Sequence, residues 1–85
     1  PRFRGNVVCP RIVVENRRRA GSQVQRVLSE HGEIILGRMG LPHAEKDRIA
    51  VITLIVQADP DEVGALTGKL GSIDGVTVKS GMAKL

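Results

Sequence analysis

The alternation of strand and helix patterns limits what this chain can fold into more than any single residue does. Strands are predicted where apolar residues alternate, and helices where they recur every three or four positions. The predicted strands are at 7–14, 33–39, 48–57 and 76–82. The first predicted helix follows Asn16, with its periodic part at about 20–31, and the second is at 60–71. Their order, strand, helix, strand, strand, helix, strand, predicts an α+β plait with a four-stranded antiparallel sheet and both helices on one face. Right-handed crossovers predict the strand order 4-1-3-2.

Capping residues and turns predict where these elements begin and end. The helix signals are Asn16 and Gly32 for the first helix and Asp59, Pro60, Glu62 and Gly71 for the second. The predicted buried stripes are Ala20, Val24, Val27, Leu28 and His31 in the first helix and Val63, Leu66, Thr67 and Leu70 in the second. Pro10 interrupts the first strand, so we expect a bulge there or pairing that begins only at Arg11. We predict a tail at residues 1–5, one ferredoxin-like domain at residues 6–85, and a polar connection at 40–47.

One face of the predicted sheet has no helix to cover it. If Ile52 and Leu54 face the helices, then Val51, Thr53 and Ile55 lie on the uncovered face. A domain of 85 residues buries only roughly 60% of the surface that its unfolded chain exposes, and its single aromatic residue cannot make up this shortfall. An uncovered apolar patch on so small a domain predicts a partner. We expect a second copy of the chain, in a dimer or tetramer, joined through a sheet face, a sheet edge or the helices.

Two glycines inside the second predicted helix need a reason, because glycine costs about 1 kcal/mol relative to alanine there. Gly64 and Gly68 share one flank of that helix. We expect another backbone to approach them closely, from the neighbouring helix or from another subunit, and tolerated sequence drift is the alternative. The stretch 64–70 is not a phosphate-binding loop, because only three residues separate its glycines and Leu70 stands where a hydroxyl would hold magnesium.

Charge and cysteine content favour some classes of protein over others. The net charge is +4, and residues 1–32 hold seven of the nine arginines. A basic end fits an anionic partner or a solvated rim, but the stacking aromatic residues and helix-turn-helix pattern of common nucleic-acid binders are missing. The single cysteine, Cys9, fits a reducing compartment, and the longest apolar run, 49–56, is too short for a membrane span. We predict a cytoplasmic protein that does not bind nucleic acid directly.

The sequence predicts neither catalysis nor a metal site within one chain. The serines lack a paired histidine and acid, so we predict a protein without enzymatic activity or cofactor. Cys9, His31 and His43 are the soft metal ligands, and they are not paired in the spacing of a metal site. His31 is expected to be partly buried with its hydrogen bonds satisfied, and His43 to face solvent. A metal site assembled between subunits stays open as an alternative.

The segment at 37–42, Gly-Arg-Met-Gly-Leu-Pro, is the best candidate for contact with a ligand. Arg38 between two glycines lets a guanidinium and backbone N–H groups converge on an anion. A bulged hairpin with an exposed arginine is the structural alternative. The predicted ligand-binding residues are Asn16, Arg38 and Gly40, followed by Thr67 and Lys69.

Five segments together resemble the family of iron-only hydrogenase system regulators. They are VENR at 14–17, GRMGLP at 37–42, AVITLIV at 50–56, DEVGALTGKLG at 61–71 and GVTVKS at 75–80, and the resemblance covers residues 7–84. It implies an ACT-like form of the plait, related in shape to the ligand-sensing domain of the nickel-responsive repressor. It also implies an association with hydrogenase maturation genes, with transcriptional regulation as one form of that role. The ligand loop that ACT domains carry after their first strand is missing here.

The residues and the resemblance together predict a regulatory or sensing module without enzymatic activity. It is expected to be a homo-oligomer with a small ligand or a protein partner at its subunit interface. The alternative is an oligomeric metal sensor of the nickel type, and the third hypothesis is an arginine-driven nucleic-acid-binding protein.

Overall fold

The computed structural model describes residues 6–15, 17–44 and 49–83, and it contains the elements in the predicted order. The strands are β1 (Asn6–Glu15), β2 (Ile35–Ala44), β3 (Ile49–Ala58) and β4 (Val76–Ala83), and the helices are α1 (Arg17–Glu30) and α2 (Pro60–Gly71). A short 3-10 turn, Gly32–Ile34, follows α1. The tail predicted at residues 1–5 lies outside the described residues. None of the described helices is long and apolar enough to cross a membrane.

The four strands form one antiparallel sheet in the order β2-β3-β1-β4, which confirms the predicted order read from the other edge. Both helices contribute to a single hydrophobic core on one face of this sheet. That core contains Ala20, Val24 and Leu28 of α1, Leu66 and Leu70 of α2, and Ile12, Val14, Leu54, Val56, Ala58 and Val76 of the strands. The helix layer therefore covers one face, and β3 and β1 occupy the two central positions where burial is greatest.

Pro10 lies in β1 without a bulge, so both expectations for this residue are wrong. Its side chain is buried against the helices, and Pro10 is opposite Ser80 of β4. The pairing of β1 with β3 keeps one register on either side of it, from Val8↔Val56 to Arg11↔Thr53. Proline removes one N–H donor from a ladder but adds no residue to the strand. The ladder therefore loses a bond at this point, and the strand keeps its length.

The end of α1 and the extent of β2 both differ from prediction. Gly32 does not end the helix in the left-handed conformation, because α1 ends at Glu30 and Gly32 opens the 3-10 turn. The polar connection predicted at 40–47 is wrong in its first half, since β2 continues to Ala44. Pairing with β3 extends it, through Gly40↔Ile52 and Leu41↔Val51. β2 is an edge strand, where proline is tolerated, and its register shifts at both ends.

The predicted start of α2 is confirmed in detail. The Glu62 backbone N–H donates to Asp59 Oδ1 at 2.9 Å, and the Asp59 backbone N–H donates to Glu62 Oε1 at 3.3 Å. This reciprocal pair is a capping box, with Pro60 at the first helical position. At the other end the helix stops at Gly71, as predicted, and the hydroxyl of Ser72 donates to the carbonyl of Lys69 at 2.8 Å.

The sheet surface opposite the helices is called the bare face below. Leu54 and Val56 are fully buried beneath the helices, so the alternate residues Val51, Thr53 and Ile55 point the other way, as expected. Met39 and Leu41 of β2 are opposite Thr53 and Val51 and therefore share this face, where their side chains are 76% and 61% exposed. Among the described residues, these exposures confirm the predicted uncovered apolar patch.

The alternating residues Val76, Val78, Ser80 and Met82 predict one buried face along the last strand, and the structure buries only part of it. Val76 is buried and Val78 half-buried, but Ser80 on the same face is exposed. The described helices do not cover this end of the strand. The side chain of Met82, predicted to continue the buried face, lies outside the described residues.

Gly64 and Gly68 are exposed on α2, and a Cβ added at either glycine would find no other atom within 4 Å. No described part of this chain approaches them, so the expected approach by the neighbouring helix is wrong. Approach by another subunit stays a prediction.

We expect that replacing both glycines with alanine raises the free energy of unfolding by up to about 1 kcal/mol per site, since alanine loses less backbone entropy in a helix. Urea unfolding at low protein concentration measures this gain. Lower stability would contradict it. A gain accompanied by loss of self-association would place another subunit against this flank.

Candidate ligand-binding cleft

A cleft of about 360 Å³ opens between α1 and the strands β2, β3 and β1. Its lining consists of Val14, Gly21, Val24, Gln25, Gly40, Leu41, Ala50 and Ile52. The strand residues come from two cross-strand pairs on the helix-covered face, Val14↔Ala50 and Gly40↔Ile52, together with Leu41. Apart from Gln25, the lining side chains are apolar. The cleft is therefore suited to an aliphatic group of a few carbon atoms.

The cleft is open because small residues face each other across it. Gly21 is on α1 and Gly40 is on β2, and a Cβ built at either position would meet no atom within 4 Å. Ala50, next to them on β3, is also small and half-buried. A larger side chain at Gly21 or Gly40 would enter the space without colliding with the backbone, which makes the cleft easy to close by substitution.

A guanidinium stands beside this apolar space. Arg38 is opposite the buried Leu54, so it lies on the helix side of β2, two residues from Gly40. Its Nη2 atom donates to Oε1 of Gln25 at 3.0 Å, and Gln25 lines the cleft. A guanidinium carries five N–H donors in a planar fork, so one bond to an amide leaves capacity for a carboxylate. The apolar wall of the cleft therefore has an exposed positive charge next to it, bonded to the lining residue Gln25.

The predicted ligand residues fall into three groups. Arg38 and Gly40 are brought together at the cleft. Asn16 lies outside the described residues. Thr67 and Lys69 are on α2, and neither lines the cleft: the Thr67 hydroxyl donates to the Val63 carbonyl at 3.0 Å, and Lys69 Nζ lies 3.7 Å from Glu30 Oε1. A ligand role for Thr67 and Lys69 stays a prediction without support from this geometry.

Sequence reasoning missed the α1 side of the cleft, Gly21 and Gln25. The two residues are four apart, so they share one flank of the helix. Neither residue is charged or belongs to one of the five segments that carry the family resemblance, and only the position of α1 beside β2 brings them to the cleft. The signal available in the sequence was the glycine within a helical pattern, the same kind of signal that singled out Gly64 and Gly68.

A second, smaller cleft of about 220 Å³ lies at the end of α1, beside His31, Glu30, Glu33 and Glu62. His31 is half-buried, as expected, but its Nε2 atom is buried without a hydrogen-bond partner among the described residues. The expectation of a satisfied histidine is therefore wrong for this atom. Across residues 6–15, 17–44 and 49–83, no three His, Cys, Asp or Glu side chains are placed to hold a metal ion together. The side chain of His43 lies outside the described residues.

The arginines are divided between opposite sides of the molecule. Arg11 lies on the bare face, whereas Arg19 and Arg26 are exposed on α1, in the helix layer. The basic character of the first third of the chain therefore does not form one continuous surface among the described residues. This division favours a solvated rim over a nucleic-acid footprint.

The family model TM1266-like, described as an iron-only hydrogenase system regulator, matches residues 6–80. The protein TM1266 from Thermotoga maritima has 42% sequence identity, with a TM-score of 0.85 over 92% of this chain and 96% of that one. The chain belongs to the TM1266-like family. No match was found among curated proteins.

More distant structures share the fold of this TM1266-like protein. The C-terminal domain of MgtC from Mycobacterium tuberculosis is 15% identical, with a TM-score of 0.71 over 93% of this chain and 88% of that domain. The apo form of CPII from Thiomonas intermedia K12, a nitrogen regulatory PII-like protein, is 14% identical, with a TM-score of 0.60 over 94% and 91% of the two chains. At these identities the likeness supports the ferredoxin-like plait and nothing finer. The fold and the resemblance to hydrogenase system regulators are both confirmed.

Proposed function

We propose that this TM1266-like protein is a homo-oligomeric regulatory module of the cytoplasm, without enzymatic activity, that senses a small aliphatic carboxylate in the cleft between α1 and β2. The role in a hydrogenase system follows the description of its family. The observation that carries the ligand is the cleft itself, where an apolar wall lies beside the Arg38 guanidinium bonded to Gln25. A branched aliphatic tail fits the wall, and a carboxylate fits the guanidinium.

Two further observations support a sensing role. The family is described as regulatory, and the CPII protein, which shares the plait, has been solved with ADP, AMP and bicarbonate bound. The plait is thus compatible with small anionic ligands.

Cys9 is a free, exposed thiol, which fits the reducing cytoplasm. Leu41 lines the cleft and also belongs to the bare face, so a ligand would lie next to the surface through which we expect copies to join.

Isovalerate is the probe for this function, because it combines a branched four-carbon tail with one carboxylate. We expect it to raise the melting temperature by several degrees at saturating concentration, since a ligand that binds only the folded state stabilises it. Acetate, which has the charge but not the tail, and isoamyl alcohol, which has the tail but not the charge, should give smaller shifts. Differential scanning fluorimetry with an extrinsic dye measures all three.

Two variants test the location. Arg38→Gln should abolish the isovalerate shift, whereas Arg26→Gln, which removes the same charge from an exposed position on α1, should leave it intact. Gly21→Leu should abolish it by filling the cleft while Arg38 is still present. An equal shift in all three variants would refute the cleft as the site, and no shift in the unchanged protein would refute the ligand class.

A further inference from the structure

The registers of the three strand pairs arrange the side chains of the bare face in rows that run across the strands. The apolar row contains Leu41, Val51, Val13 and Thr77, in the order β2, β3, β1, β4. On one side of it lies the basic row, with Met39, Thr53, Arg11 and Lys79. On the other side, Ile49 of β3 is opposite Glu15 of β1. On this face β1 therefore has a basic, an apolar and an acidic residue at alternate positions, Arg11, Val13 and Glu15, with Val13 midway between the two charges.

The basic row is electrostatically unfavourable in a single copy. Arg11 and Lys79 are directly opposite each other on neighbouring strands, and both are exposed. Like charges in such a pair destabilise a sheet. A carboxylate brought from outside against this row would offset the repulsion. Glu15, on the same face and the same strand, is such a carboxylate when a second copy supplies it.

We propose that two copies join bare face to bare face about a two-fold axis along the apolar row, so that Arg11 of each copy meets Glu15 of the partner subunit. A two-fold axis that crosses the strands at Val13 places each strand antiparallel to its own copy. A residue two positions before Val13 then faces the residue two positions after it. Symmetry makes the Arg11–Glu15 contact twice. This arrangement rests on the homo-oligomeric state given in the proposed function, and it specifies the interface between the copies.

This axis is favoured over its neighbours by both charge and apolar contact. An axis along the basic row would place Arg11 against Arg11 and Lys79 against Lys79, and close like charges across an interface are costly. An axis along the apolar row brings Val13, Val51 and Leu41 against their own copies. Packed sheets lie ~10 Å apart, a gap that an arginine and a glutamate side chain can span together.

The axis also determines how much of the two faces overlaps. Because β1 ends at Glu15 and β3 begins at Ile49, residues 11–15 of β1 and 49–53 of β3 lie over the sheet of the partner subunit. Five residues at ~3.3 Å across four strands at ~4.8 Å outline on the order of 300 Å² per copy. An interface of this size belongs to the weak end of specific interfaces, so we expect dimers at high protein concentration.

Charge reversal tests the proposed register. In sedimentation experiments without any added ligand, Arg11→Glu and Glu15→Arg should each raise the dimer dissociation constant about tenfold or more, because each creates two like-charge contacts per dimer. The double variant should dimerise as the unchanged protein does. An equimolar mixture of the two single variants should form mixed dimers, since every reversed charge then meets an opposite charge.

Arg26→Glu and Glu33→Arg are the matched controls, because they make the same charge changes in the helix layer, and they should dimerise normally. Circular dichroism checks that each variant folds. A monomeric unchanged protein, single variants that dimerise normally, or a mixture that stays monomeric would each overturn the proposal. Because no ligand is present, failure here is distinct from failure of the isovalerate test.

Discussion

Leu54→Ala is expected to destabilise the domain by about 2–5 kcal/mol. The variant loses the transfer free energy of the deleted side-chain atoms, and it leaves a cavity in the core. Leu54 is 0% exposed in the central strand β3, where it packs with Ile12 and Leu28 in one cluster. A domain of this size has few core residues to compensate. The free energy of unfolding of a native protein is about 5–15 kcal/mol, so this substitution removes a large share of that free energy.

Ile55→Ala is the matched control, one residue further along the same strand. Ile55 is 45% exposed on the bare face, so its truncation should cost about 1 kcal/mol or less. Urea unfolding should be measured at protein concentrations low enough to dissociate a dimer, because Ile55 lies on the bare face next to the proposed interface. Equal losses in the two variants would show that β3 does not bury one face and expose the other.

Gly75→Val is expected to cost about 2–3 kcal/mol through backbone strain. Gly75 has φ +85, a left-handed conformation that a β-branched residue tolerates poorly. A Cβ at this position would lie 3.1 Å from the carbonyl oxygen of Glu15, and the Glu15 N–H donates to the Gly75 carbonyl at 2.8 Å. The turn therefore has no room to move away from the end of β1 without losing a hydrogen bond.

Gly71→Val is the matched control for this substitution. Gly71 is the last residue of α2, and a Cβ there would meet no other atom within 4 Å. We expect a change within about 0.5 kcal/mol, because valine and glycine have similar helix propensities at such a position. Thermal unfolding of the two variants separates the effect of the turn from that of valine itself. A Gly75→Val protein as stable as Gly71→Val would contradict the left-handed turn.

Local signals in the sequence predicted the parts of the fold that local chemistry determines. The capping box of Asp59 and Glu62 depends on residues three apart in the sequence. The strand order followed from the handedness of the crossovers, and the bare face from alternation along β3. These features need no knowledge of distant partners, which is why the sequence sufficed.

Features that depend on distant pairing were predicted wrongly or not at all. β2 extends past Gly40 because β3 pairs with it there, although the composition of 40–47 favours a loop. β1 keeps its register at Pro10 because β4 pairs with β1 at that position. The α1 side of the cleft, Gly21 and Gln25, acquires its role only when the helix packs beside β2. The 37–42 segment singled out Arg38 and Gly40 as candidates, but the apolar wall next to Gly40 was not predicted.

Neighbouring residues of β2 lie at the cleft and on the bare face. This arrangement can couple the free energy of ligand binding to that of dimerisation. Gly40 faces the cleft, and Leu41 belongs to both the cleft lining and the bare face. Binding in the cleft and association of two copies then act on the same stretch of backbone. If cleft occupancy changes the affinity between subunits by some factor, reciprocity requires that dimerisation change the ligand affinity by the same factor. The carboxylate affinity of this protein should therefore vary with its own concentration.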